Sequence, residues 1–296
     1  MICGIFTAIL NSAGYLFSSR FLLYYKSPAR LLVVSSMVML VISLLFLPWV
    51  FPFAAMPCLW RFSLQAILGS VLFLLGQVAF FAALRYFDAS RIASLLGLKI
   101  IVLSVIFVVL GGKLMLLQLA AVVLATVAAV TFNWSGTGKV SYKGWLLLAV
   151  SLVCYSCVDM VETSLVMQVH QFSHFSKLRS ALAVVPFLYT GLGVLLLPAV
   201  FFFKPDKDQV IKAFPYGLLW LVSQIFLFCC YSNLQPVFGN VILVTRGIFS
   251  VLAGILLPYF GLSALDSRIP LKLWFRRIIA SLIMLGAIAL YSFASL

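Results

Sequence analysis

The chain is a succession of apolar runs, each close to the length that carries a helix across a bilayer. A helix rising about 1.5 Å per residue covers a ~30 Å hydrocarbon core in about 20 residues. Ten such runs stand out: Ile2–Ser19, Leu31–Val50, Leu64–Tyr86, Ile92–Leu110, Leu114–Phe132, Gly144–Val166, Ala181–Phe203, Tyr216–Tyr231, Val237–Leu257 and Phe275–Phe293. The loops between them are short and leave no room for a soluble domain. Hydrophobic residues make up 65% of the chain and charged residues 9%, whereas a soluble domain is about 25% charged. Strands of a membrane barrel are about 10 residues long and alternate polar with apolar; these runs do neither. The expected fold class is an all-α polytopic membrane protein with ten transmembrane helices.

The formal charge of +14 does not point to nucleic acid. The basic residues are scattered singly between apolar runs and form no patch on a soluble module. They read as topology determinants. Fourteen Lys and Arg lie at the loops joining spans 1–2, 3–4, 5–6, 7–8 and 9–10, and four at the other loops. The positive-inside rule then places both termini outside. Trp49, Trp60, Trp134, Trp145 and Trp274 fall at span ends, as an interfacial aromatic belt requires. The six cysteines are Cys3, Cys58, Cys154, Cys157, Cys229 and Cys230, mostly inside apolar runs, where cysteine acts as a small apolar residue. Cys154 and Cys157 form a C-x-x-C without a second pair, so no metal or redox role is expected there. The opening MICGIFTAIL has no basic flank and reads as the first span rather than a cleaved signal.

The polar stretch WSGTGKVSYK, 134–143, divides the chain into five spans and five. Residues 1–133 are expected to form a first five-helix repeat, 134–143 a linker and 144–296 a second repeat. A shift of 147 residues lays VLFLLGQVAFFAALRY (71–86) on LLWLVSQIFLFCCYSN (218–233) and matches Gln77 to Gln224. The same shift lays GLKIIVLSVIFVVLGG (97–112) on VTRGIFSVLAGILLPY (244–259) and matches Lys99 to Arg246. LPWVF (47–51) matches LPAVF (197–201) in the second spans. In the first spans an offset of 140 pairs Gly4 with Gly144, Asn11 with Ser151 and Tyr15 with Tyr155. An odd number of spans per repeat inverts the second relative to the first, the geometry of a carrier with a central midplane site. The fourth and fifth spans are joined by GGK, but the ninth and tenth by PYFGLSALDSRIPLKLW. Pro270 and the mixed basic and apolar residues there suit either an interfacial segment or a longer solvated loop.

This architecture resembles the drug/metabolite transporter superfamily, the EamA-like carriers of ten helices in two inverted repeats. The resemblance covers nearly the whole chain. Helix 3 of family halves ends like A-L-x-Y, here Ala83-Leu84-Arg85-Tyr86. Helix 4 carries a mid-span proline followed by L-G-E; here Lys99 and Leu110-Gly111-Gly112 stand at those positions. In the second half Arg246 replaces the proline and Leu257-Pro258-Tyr259 the L-G-E. The resemblance implies a secondary carrier of a bacterial inner (plasma) membrane, with helices 3, 4, 8 and 9 around a cavity and with cytoplasmic termini. That orientation is opposite to the one the charge bias gives.

Lys99 and Arg246 lie near the middle of their spans. A cation at that depth costs about 2.5–3.5 kcal/mol on insertion scales, and such residues face a bundle interior or a wet cavity. Two readings follow. They bind an anionic substrate group, Arg as a rigid fork and Lys as a point charge. Alternatively they pair with Asp159 and Glu162, the only acids within a span, which are three apart and share one helix face. Both roles in alternate states, with an acid exchanging a proton, is a third. Gln77 and Gln224 would line the cavity or bridge helices. Tyr15, Tyr155, Asn11 and Ser151 would wall it or pack. His170 and His174 lack further ligands for a metal, no cofactor is expected, and no Walker sequence or Ser/His/Asp set marks an enzyme.

The expectation is a secondary transporter of a small polar metabolite with an anionic group, such as an amino acid, working by alternating access as monomer or homodimer in the lipid bilayer. The alternatives are a flippase for a lipid-linked anionic or sugar headgroup and a non-transporting assembly subunit.

Overall fold

The computed structural model describes residues 2–83, 86, 98–133, 142–243, 245, 249 and 271–294. Their regular structure is helical: α1 (Ile2–Tyr25), α2 (Pro28–Val50), α3 (Leu59–Ala83), α4 (Lys99–Val109), α5 (Leu116–Asn133), α6 (Tyr142–Ser173), α7 (Lys177–Phe203), α8 (Lys207–Leu243) and α9 (Leu271–Ala294), with a 3-10 turn at Phe53–Ala55. Six of these, α1, α2, α3, α6, α7 and α8, are long and apolar enough to cross a membrane. Their outward faces are apolar too: Val41, Leu44, Leu45 and Phe46 of α2 are all exposed. So much exposed apolar surface has its natural solvent in lipid acyl chains. The chain is an integral membrane protein.

Helix starts follow local chemistry. Ser27 accepts from the Arg30 N–H ahead of Pro28 at the first helical position. Ser176 accepts from Arg179 N–H, and Asp206 Oδ1 from Gln209 N–H at 2.8 Å. Each satisfies an orphan donor of the first turn. Hydroxyls inside the apolar helices return to their own ladder. Thr7, Ser12, Ser70, Ser104 and Thr126 each donate to the carbonyl four residues back, which removes a polar group from the apolar interior.

Several helices outrun the apolar segments that announce them. α1 continues past Ser19 to Tyr25, α3 begins at Leu59 rather than Leu64, and α6 runs to Ser173 rather than Val166. Polar turns at the membrane surface still hydrogen-bond as helix, although they add nothing to hydropathy. Tyr142 and Lys143, expected in the linker, open α6 instead. α8 runs from the apolar run expected as the eighth span into the start of the next expected run through Gln235, whose φ of 68° and ψ of 152° are non-helical. Pro236 follows, lacks an N–H and suits the first position of the next helical segment.

The chain forms two compact units, Met1–Val71 with Met160–Asn233, and Leu72–Asp159 with Leu234–Leu296. Each takes residues from both sequence halves, and the division passes through α3, α6 and α8. This grouping by compactness is a different division from the repeat read in the sequence.

In the first unit α1 and α8 run antiparallel. Cys3 meets Cys229, Thr7 Oγ1 lies 3.4 Å from the Ser223 carbonyl, and Ser223 Oγ donates to Asn11 Oδ1 at 2.9 Å. Gly14 lies against Tyr216 and Leu219, Phe21 packs with Ala213, and Tyr25 donates to Asp208. α2 packs chiefly on α7. There a Cβ on Gly193 would come within 2.5 Å of Leu40 Cβ, so only glycine allows that approach. In the second unit α5 and α9 form the main pair, and Phe238 stacks on Tyr291 with ring centroids 4.2 Å apart.

Candidate functional site

The second unit concentrates its buried polarity around one carboxylate. Asp159, on α6, is buried and receives the Lys99 ammonium at 2.8 Å on Oδ1 and 2.7 Å on Oδ2. Asn240, on the segment of α8 beyond Gln235, donates through Nδ2 to Asp159 Oδ2 at 2.6 Å. The same amide reaches the Pro236 carbonyl at 2.9 Å. One side chain therefore ties the start of that segment to the carboxylate.

Tyr155 stands one turn before Asp159 on α6. Lys99 Nζ is 5.9 Å from its ring centroid, within the range at which a ring face attracts a cation. The ring leans on α3 at Gly76, where an added Cβ would come within 2.9 Å of Tyr155 Cε1, and beside Phe73. Ser151 lies one further turn back on the same face, fully buried, and its hydroxyl has no hydrogen-bond partner among the described residues. Ser151, Tyr155 and Asp159 thus form one stripe on α6 (spacing i, i+4, i+8).

The chemistry of this cluster is that of an occupied cation. A lysine in an apolar helix layer is tolerable when a carboxylate compensates it and the remaining oxygen lone pairs are hydrogen-bonded. Here Lys99 and Asn240 supply donors to Asp159. The side chain of Lys99 is 18% exposed against 6% for Asp159, so the carboxylate is the more deeply buried partner.

The structure brings together Lys99, Tyr155 and Asp159, with Ser151 on the same helix face. Gln77 is half-buried on α3 of the same unit, one residue past Gly76. Asn11, Gln224 and Glu162 belong to the first unit, where Asn11 is bonded to Ser223 and Gln224 is buried. Glu162 there acts electrostatically on the buried hydroxyl of Tyr189, which accepts from Trp220 Nε1 at 2.7 Å. Tyr15 lies on α1 with its side chain outside the described set, and Arg246 and Pro270 lie outside the described residues. His170 Nδ1 is 2.5 Å from the Phe175 carbonyl, closing the end of α6. Among the described residues no group of His, Cys, Asp or Glu could hold a metal ion.

Asn240 escaped the sequence reading. The 147-residue shift places it on Ala93, so a search for polar residues matched between the halves passes over it. An amide four residues past Pro236 in an apolar run was the available signal. A second polar cluster, on α3 and α6 of the first unit, also went unread. Gln168 Nε2 donates to Gln65 Oε1 at 2.6 Å, and Gln65 Nε2 to Ser164 Oγ at 3.0 Å.

No protein-family model matches this chain, and no curated protein sequence does. A solved structure described only as the crystal structure of a protein is similar over 99% of this chain and 96% of its own, with a TM-score of 0.65 at 13% identity. At that identity the likeness concerns the fold alone.

Proposed function

We propose that the protein is a secondary transporter for a small polar metabolite bearing an anionic group, an amino acid or related zwitterion or organic anion. The observation that carries this reading is the Lys99–Asp159–Asn240 cluster, a cation–carboxylate pair held inside apolar helices. The sequence correspondence of Lys99 with Arg246 and the resemblance to the EamA-like carriers of a bacterial inner membrane support it. In this reading there are ten spans in two inverted repeats, and access alternates across the membrane.

The pair gives the mechanism its form. An anionic group would compete with Asp159 for the three N–H donors of Lys99. Transfer of a proton to Asp159 releases the ammonium at no net cost in buried charge, because substrate anion and proton enter together. Asn240 remains as an oriented donor, and Tyr155 walls the ammonium. Substrate and proton then cross as a unit.

A second reading has a specific observation in its favour. The pair is closed at 2.7 Å, as a permanent structural tie in a non-transporting subunit would be. The two readings part on the double variant Lys99→Met/Asp159→Leu, since apolar replacement of a buried pair commonly leaves stability equal or raised. The test is thermal unfolding of the purified protein against a panel of metabolites, because a ligand that binds only the folded form stabilises it by about 2.7 kcal/mol at a hundredfold excess over Kd. The carrier reading expects an anionic metabolite to stabilise the wild type and not the folded double variant. Equal responses in both proteins would favour the structural tie.

A further inference from the structure

We infer that Cys3 and Cys229 form a redox pair, a reversible disulfide site on the α1–α8 seam of the first unit. Their sulfurs lie 3.5 Å apart, and both are free thiols. Three features set this pair apart from a chance approach of two small apolar residues. First, the backbone around it is fixed in register: Thr7 Oγ1 bonds the Cys3 carbonyl at 2.9 Å and lies against Ser223 across the seam. Closure to a bonded sulfur distance of about 2.05 Å therefore needs side-chain rotation and a small approach, not a rearranged fold. Second, Asn233 Nδ2 donates to Cys229 Sγ at 3.5 Å and to the Cys229 carbonyl at 2.7 Å, which helps to fix the position of that sulfur on the seam. Third, access is graded. Cys3 sits in the first turn of α1 and is partly exposed, whereas Cys229 is buried.

The oxidant is a small-molecule disulfide. The Cys3 thiolate attacks one of its sulfurs, forming a mixed disulfide and expelling one thiolate. The Cys229 thiolate then attacks Cys3 Sγ and expels the second. The two protein protons end on the two released thiols, the protein loses two electrons and the reagent gains them. A thiol reductant reverses both steps. The product staples the start of α1 to α8 six residues before Gln235.

The experiment treats the purified full-length protein in detergent with oxidised glutathione, alkylates remaining thiols, and maps peptides by mass spectrometry without reduction. The expected product is a peptide pair joined through Cys3 and Cys229, lighter by two hydrogens and separated by dithiothreitol. Exposed Cys58 takes up glutathione as the control for reagent activity. Cys3→Ser, nearly the same size, is expected to fold, lose the joined peptide and leave Cys229 alkylatable only after unfolding. A bond between Cys229 and its neighbour Cys230, or glutathione retained on Cys3 without closure, would overturn the inference. None of these outcomes depends on whether the protein transports anything.

Discussion

At the scale of single residues, Lys99 and Asp159 stand or fall together. Removing one partner of a buried pair leaves the other charge uncompensated, at a cost of about 3–5 kcal/mol. Lys99→Met is therefore expected to lower the thermal midpoint strongly, with the loss toward the lower end because the lysine side chain retains 18% exposure. Adding Asp159→Leu should restore most of it, a non-additivity that thermal unfolding of the two singles and the double reads directly. Gln235 makes a different kind of prediction. Its φ of 68° with ψ of 152° is a region occupied almost entirely by glycine, and holding another residue there costs on the order of 1–3 kcal/mol. Gln235→Gly should raise the midpoint, whereas Gln235→Val, with a branched Cβ, should lower it. A midpoint that falls with glycine would mean that the Gln235 side chain contributes more than its backbone costs.

At the scale of elements, close helix approach rests on glycines, Gly193 and Gly76 among them. Gly193→Ala puts a methyl group 2.5 Å from Leu40 Cβ, and overpacking of this kind costs about 1–3 kcal/mol. Leu40→Ala in the same chain should recover little of the loss, because alanine keeps the Cβ that the new methyl group meets. Gly76→Ala would press on the Tyr155 ring, 2.9 Å from the new carbon. It should change ligand response more than stability, because the ring can swing away and leaves Lys99 without its aromatic wall. Among the described residues, helix existence was legible in the sequence as apolar runs. The inward faces were not. In water a helix declares its buried face by contrast with a polar one, but lipid is as apolar as a protein core, so both faces read alike. That is why the antiparallel α1–α8 seam, with Cys3 beside Cys229 and Asn11 beside Ser223, left no periodic trace. It is also why Asp159 and Glu162, three apart in one helix, could not be told apart as partners for Lys99, although the structure gives that place to Asp159.

At the scale of the whole molecule, the six long apolar helices among the described residues and their exposed apolar faces require the protein to stay in membranes washed at alkaline pH. The positive-inside bias expects a phosphatase fused after Leu296 to be active outside the cytoplasm, and an inactive fusion would favour the orientation that the carrier resemblance implies. Polar and charged side chains placed in a membrane layer cost free energy and are candidates for function by default, and Lys99, Asp159 and Asn240 are three such groups meeting at one point. The measurement that tests the account most directly is uptake into proteoliposomes of whichever anionic metabolite stabilises the purified protein, with internal pH followed at the same time. The account predicts that wild-type protein takes up the metabolite with acidification of the lumen, and that folded Lys99→Met/Asp159→Leu protein does neither. Undiminished uptake by the double variant would contradict it.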